Sequence, residues 1–483
     1  MILACAGNQL FTIHADHHDF DRHAKLWVLV HRFEEFHYSA KLGDLAPFLA
    51  SLGPAPNLKV LHLTPESSIP VLDETMSRNT IPTIFAGCLP LLRHLSLPET
   101  IVWPTGLFRG LTSFECGNHP YFPVFPAHVF DVIRGSPLIE SIHVVGIAMP
   151  TQGPDVHLTP LSSLRKCTLI GEGIASLIRL ITVPATALVS LGKTYAFDWS
   201  TLPEFDKDSV APGLRTLGEV SVLSFSIDDY AVRLQARNNH GGALDVVVDG
   251  LKDLSRDPPA FTLFIQNSFE CWRTCPGLKT TKEFTLSMDR GRVWSPEETS
   301  RIVPTLTRLI SNLLRIEEAK IYGVPPAELG AILGLLARNQ ASKLQCPNLK
   351  RLDIVSTPVL SPELLLTVLG KVLETRKEAG APFQSVTVRV KCEMPAPAMV
   401  HCTCLAAWEG LVGEGVRLEY ERTKVKKLPG RRRRTSPKGD EGAGEAGDEE
   451  KEGGAGTGDP GDDVGWNGWP EKWPKTPEVM WGR

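Results

Sequence analysis

The chain has 483 residues, 42% of them hydrophobic and 22% charged, with a formal net charge of −4. That is the composition of a folded protein, and the length exceeds one ordinary core unless the core is extended by repetition. The small net charge argues against a general nucleic-acid-binding surface, and no apolar run approaches the roughly 18 residues of a membrane helix.

Ten cysteines are scattered rather than arrayed, which fits a reducing compartment better than a disulfide framework. Residues 1–7 are apolar but too short for a signal peptide and carry no basic n-region. An intracellular protein of the cytoplasm or nucleus, with no membrane partner, is the expectation.

The first 24 residues show no clear period, and His14, His17, His18 and His23 sit among Asp16, Asp19 and Asp21. Residues 26–38 read as a strand pair or one long strand. A helix over 42–52 follows from Leu42, Leu45, Phe48, Leu49 and Leu52 at three- and four-residue steps, stopped by Gly53 and Pro54. Residues 57–63, NLKVLHL, form the first clean strand.

The stretch 81–98, IPTIFAGCLPLLRHLSLP, states the repeat most plainly: a helix end, a proline-marked turn and a short strand of alternating leucines. Echoes return at 107–115, 138–145, 161–170, 188–195, 214–225, 278–288, 316–322 and 349–355, about 20 to 33 residues apart. Between them the patterns predict helices at 71–86, 126–134, 173–181, 296–314, 326–339 and 362–377, several opening on proline. Cys88 and Cys346 each precede a proline at the same place in the repeat, which suits small buried hydrophobes.

One such unit cannot bury its own apolar face, so units must stack. The expected fold is α/β: an irregular, leucine-rich-repeat-like solenoid over 25–422, with a parallel strand surface backed by helices. A kink is expected near 225–275, where the pattern weakens.

Beyond residue 422 the composition changes. Lys424, Lys426, Lys427, Arg431, Arg432, Arg433 and Arg434 form a basic block. A Gly-rich acidic stretch and a Trp- and Pro-rich end follow. Residues 423–483 are expected to be a disordered tail. The basic block has the density of a nuclear-import signal or anion patch, and equally of a solvated charge run.

The phrases IFAGCLPLLRHLSLPE, LFRGLTSFECGN, VFDVIRGSPLIESIHVVG, CPNLKRLDI and VLETRKEAGAPFQSVTV together resemble the repeat region of fungal F-box proteins with degenerate leucine-rich repeats. The resemblance spans roughly residues 25–395. It implies a substrate-recognition scaffold of a cullin–RING ubiquitin ligase, with a protein partner on the strand surface and a Skp-type linker bound through the F-box. No three-helix F-box is legible before residue 42. The F-box is therefore expected upstream or is absent, and in the latter case the chain is a repeat-containing binding protein without ligase coupling.

Other chemistry is thinly signalled. The N-terminal His/Asp cluster has zinc or nickel ligand types, but its spacing fits no closed set. Cys271, Cys275, His401, Cys402 and Cys404 do not form paired CxxC steps. Gly171-Glu-Gly173-Ile-Ala-Ser176 imitates a dinucleotide fingerprint with serine at the third glycine, a weak lone match whose plainer reading is a tight repeat turn. Walker, HExxH and GxSxG motifs are absent. The expectation is therefore no enzyme, no cofactor and no metal, with a nucleotide-using enzyme as the remaining alternative.

Overall fold

The computed structural model describes residues 9–16, 27–40, 48–65, 79–80, 84–98, 101–117, 124, 126–147, 159–171, 173–178, 180–194, 218–228, 231–249, 279–289, 304, 310, 313–324, 326–337, 339–340, 343–344, 346–356, 363–392, 412 and 415–422. The chain divides into two units, Met1–Arg422 and Thr423–Arg483, and all described residues belong to the first.

That unit is mixed α/β and is dominated by one open sheet of sixteen strands. In chain order they are β1 (Phe11–Asp16), β2 (Phe33–Ala40), β3 (Val60–Pro65), β4 (His94–Leu97), β5 (Ser113–Cys116), β6 (Ser141–Ile147), β7 (Lys166–Gly171) and β8 (Leu188–Thr194). Then come β9 (Val220–Asp228), β10 (Ala231–Asn238), β11 (Ala243–Asp249), β12 (Glu283–Asp289), β13 (Glu318–Val324), β14 (Arg351–Ser356), β15 (Ser385–Cys392) and β16 (Gly415–Arg422). Strands β1 to β8 lie side by side in chain order, as do β12 to β16, and all these neighbours are parallel.

The order breaks between these runs. The sheet passes from β8 to β11, then β10, β9 and β12, with β10 antiparallel to both its neighbours. This meander occupies much of the region where the repeat pattern weakens; residues 250–278 lie outside the described set.

One spacing accounts for the parallel runs. Three inward residues recur at relative positions 0, 3 and 5: Leu58/Leu61/Leu63, Leu92/Leu95/Leu97, Leu111/Phe114/Cys116, Ile139/Ile142/Val144, Ile316/Ala319/Ile321, Leu349/Leu352/Ile354 and Phe383/Val386/Val388. All are buried in one core. In five of these seven triplets the first residue closes a tight turn, its amide donated to the carbonyl three residues back, and the other two alternate inward along the strand. Between them, one carbonyl accepts two amides of the next unit. Lys59 O receives Arg93 and His94 N–H (both 2.9 Å), and Lys350 O receives Gln384 (2.7 Å) and Ser385 (3.2 Å). Parallel neighbours need long crossovers, and these supply the helices.

Four helices are described: α1 (Pro126–Gly135), α2 (Ile174–Ile178), α3 (Pro326–Ala337) and α4 (Glu363–Glu378). Leu329, Ile332, Leu333 and Leu336 of α3, and Leu365, Leu366, Leu369, Val372 and Leu373 of α4, form stripes at helical spacing that enter the same core. The helices therefore cover the inward face of the sheet. No described helix is long and apolar enough to cross a membrane.

Several local expectations are corrected. Residues 30–32 form a 3-10 turn before β2, not a continuous strand. Within the helix expected over 71–86, Asn79–Thr80 instead pairs as a strand with Ile101–Val102. Cys88 is exposed while Cys346 is buried. The turn amide of Leu92 goes to Leu89 O, just as that of Leu349 goes to Cys346 O. Leu89 is thus the counterpart of Cys346, and Cys88 lies one residue outside the register. Helix 296–314 falls almost wholly outside the described residues.

Candidate functional site on the exposed sheet face

Residues between the inward pairs point to the other face, and parallel pairing sets them in rows. Along the central row stand His14, His37, His62, Ser96, Glu115, His143 and Thr168, each beside the next on the neighbouring strand. The rings of His14 and His37 stack with centroids 4.3 Å apart, and those of His37 and His62 lie 5.6 Å apart, tilted by 40°. Beside them a cleft of about 400 Å³ is lined by His14, Ala15, Asp16, His37, Tyr38, Ser39, His62 and Thr64.

Electrostatics set the character of this row. Burial lowers the pKa of His62, with Glu115 acting to raise it and His37 to lower it further. Burial likewise lowers that of His143, opposed by Glu115 and assisted by Lys166. Glu35 stands 3.7 Å from the His37 Nε2. Among the described residues no three His, Cys, Asp or Glu side chains are placed to share a metal ion. Of the N-terminal cluster, His14 and Asp16 join the cleft; His17, His18, Asp19, Asp21 and His23 lie outside the described residues.

Further along the row the face closes. Thr168, Ser190, Asp245, Ser224 and Thr285 are buried although they point away from the core. Asp245, fully buried, accepts Arg233 Nε at 2.8 Å and its terminal nitrogen at 2.6 Å, a bidentate pair across β10 and β11. The face reopens on β13 to β16 as a charge ladder. Glu318 meets Lys320 (2.9 Å) and Arg351 (3.1 Å), and Arg389 reaches Asp353 (3.8 Å) and Glu419 (3.3 Å). Burial raises the Asp353 pKa despite Arg389, and pushes the neighbouring Tyr322 phenol up to about 12.

The glycine turn after β7 has a structural use. Gly171 adopts φ +140°, and a Cβ there would fall on the Ile147 backbone. Gly173 N–H is donated to Ile147 O at 2.9 Å, and α2 has only five residues. That amide is spent on the neighbouring strand, not left for a phosphate. The buried thiols are also structural: burial pushes Cys167 up to about 12 and Cys346 up to about 11, far from the thiolate form. Cys271, Cys275, His401, Cys402, Cys404 and the basic residues Lys424, Lys426, Lys427 and Arg431 to Arg434 lie outside the described residues.

His37, His62 and His143 escaped the sequence reading. Their signal was present in the phrases FHY, LHL and IHV, each a histidine between inward residues, but only strand register sets them side by side. No protein-family model matches the chain, and no curated protein matches it.

Proposed function

We propose that the chain is a degenerate leucine-rich-repeat solenoid whose exposed sheet face binds a protein partner. The carrying observation is the pairing of a buried inward triplet, repeated along the sheet, with outward rows whose side chains change from one end of the sheet to the other. Such a surface presents many independent side chains on a fixed backbone, which is how repeat proteins recognise other proteins. The rows are polar and mixed in charge, with histidines at one end and ion pairs at the other.

The more specific reading, substrate recognition within an F-box-type ubiquitin ligase, is supported by the resemblance of the repeat phrases and is an argument by analogy. Co-elution of the full chain with a purified Skp-type linker would support it; separate elution would favour a repeat binder without ligase coupling. The surface itself is tested by placing a photo-crosslinking residue at His94 or Lys166 on the exposed face, and at Arg134 on α1 as control. A discrete protein adduct from the face positions alone is expected. Adducts equally from all three, or from none, would overturn the reading.

A further inference from the structure

Five histidines share the exposed face of β1 to β6. His14, His37, His62 and His143 stand in the central row, and His94 lies in the adjoining one beside Val60. Among the described residues, the other charged groups in the outward rows of β1 to β7 are Asp16 on β1, Glu35 on β2, Glu115 on β5 and Lys166 on β7, with the Lys59–Glu34 pair and Arg93 at the strand starts. Within the rows, with neutral imidazoles, three carboxylates outweigh one lysine. With all five charged, six positive groups face three negative ones. Protonation of these rings therefore carries the face from net negative to net positive.

We propose that this face is a proton-gated docking site for an acidic segment of a protein partner, held when the histidines are charged and released when they are neutral. The proposal rests on the reading of the sheet as a protein-binding surface. Its geometry is that of the cleft over His14, His37 and His62, where no lysine or arginine is among the described lining residues. Two imidazolium rings stacked at 4.3 Å repel one another, and a carboxylate placed beside them offsets that repulsion. The hydroxyls of Ser39 and Thr64 line the same cleft and can donate to a carboxylate. Burial holds His62 and His143 mainly neutral at pH 7, while Glu115 between them on the row favours their charging. Bound carboxylates add to the pull of Glu115, so uptake of acid and uptake of partner reinforce one another.

The test uses the full chain and a fluorescent octa-aspartate peptide, read by anisotropy. Affinity is expected to rise about tenfold or more between about pH 7.5 and about pH 5.5. The tail's lysines and arginines stay charged throughout that range and contribute equally at both ends. The His37→Gln/His62→Gln variant should lose most of the gain; should its circular dichroism show a lost fold, the exposed His94→Gln variant should show a smaller loss. Equal affinity at both pH values, or an undiminished gain in a folded variant, would overturn the proposal. Crosslinking from Lys166 separates the two readings. An adduct formed equally at both pH values sinks the gating and leaves protein binding intact, whereas no adduct at either sinks both.

Discussion

His94 and Leu95 are adjacent in sequence and opposite in fate. Leu95 is buried to 1% exposure in the ladder of Leu61, Leu95 and Phe114, while His94 is exposed on the other face. Leu95→Ala should cost about 3 kcal/mol of stability, the usual range for a truncated core leucine. His94→Ala should change it by less than about 0.5 kcal/mol. Urea denaturation checks both, and the reverse order would refute the register. This much was legible in the phrase LLRHLSL, because period-two alternation needs only the chain itself. The fate of Cys88 was not. Proline spacing aligned it with Cys346, but the turn hydrogen bonds count back from the first inward leucine and select Leu89.

Helices α3 and α4 show how elements are joined. Arg376, at the end of the apolar stripe of α4, is fully buried and donates to the carbonyls of Leu336 (3.3 Å), Cys346 (3.2 Å) and Leu349 (3.1 Å). Its guanidinium also lies 4.6 Å from the Phe383 ring centroid. One side chain thereby ties the end of α3, the turn before β14 and the turn before β15. Burial lowers its pKa to about 10, which leaves it charged at neutral pH. Arg376→Met keeps much of the volume but strands buried carbonyls, and should destabilise by about 3 kcal/mol in chemical denaturation. Lysine should rescue only partly, since it lacks the planar fork. The hairpin β10–β11 carries its own local signal in Asn238-Asn-His-Gly-Gly242. Asn238 Oδ1 accepts the amides of His240 and Gly242, both at 2.9 Å, and Gly241 adopts φ +85°. The leucine spacing does not reveal this turn, because the hairpin departs from the repeat.

At the scale of the whole unit, the sheet is a succession of nearest-neighbour pairings, and its acid response should follow from the histidines. Burial lowers the folded-state pKa of His62, His128 and His143 below the ordinary 6.5. Each therefore contributes stability that is complete above pH 6.5 and is lost as pH falls through that value toward the folded pKa. The unfolding midpoint in urea should fall on acidification from about pH 7 to about pH 5, and His128→Gln, away from the exposed face, should blunt the fall. A midpoint unchanged across that interval would count against neutral burial of these rings. Docked carboxylates on the exposed face would offset part of the loss at His62 and His143 but not at His128.

The sequence by itself determined the spacing of inward residues, hence the parallel strands in chain order and the helices behind them. Apolar periodicity is a local property, and each unit carries its own copy. Tertiary structure alone decided the insertion of β10 and β11 between β8 and β9, because strand order depends on pairing between distant segments. It also decided which polar residues meet. His14, His37 and His62 are separated by more than twenty residues at each step, and only the hydrogen-bonded register of β1, β2 and β3 brings their rings into one row.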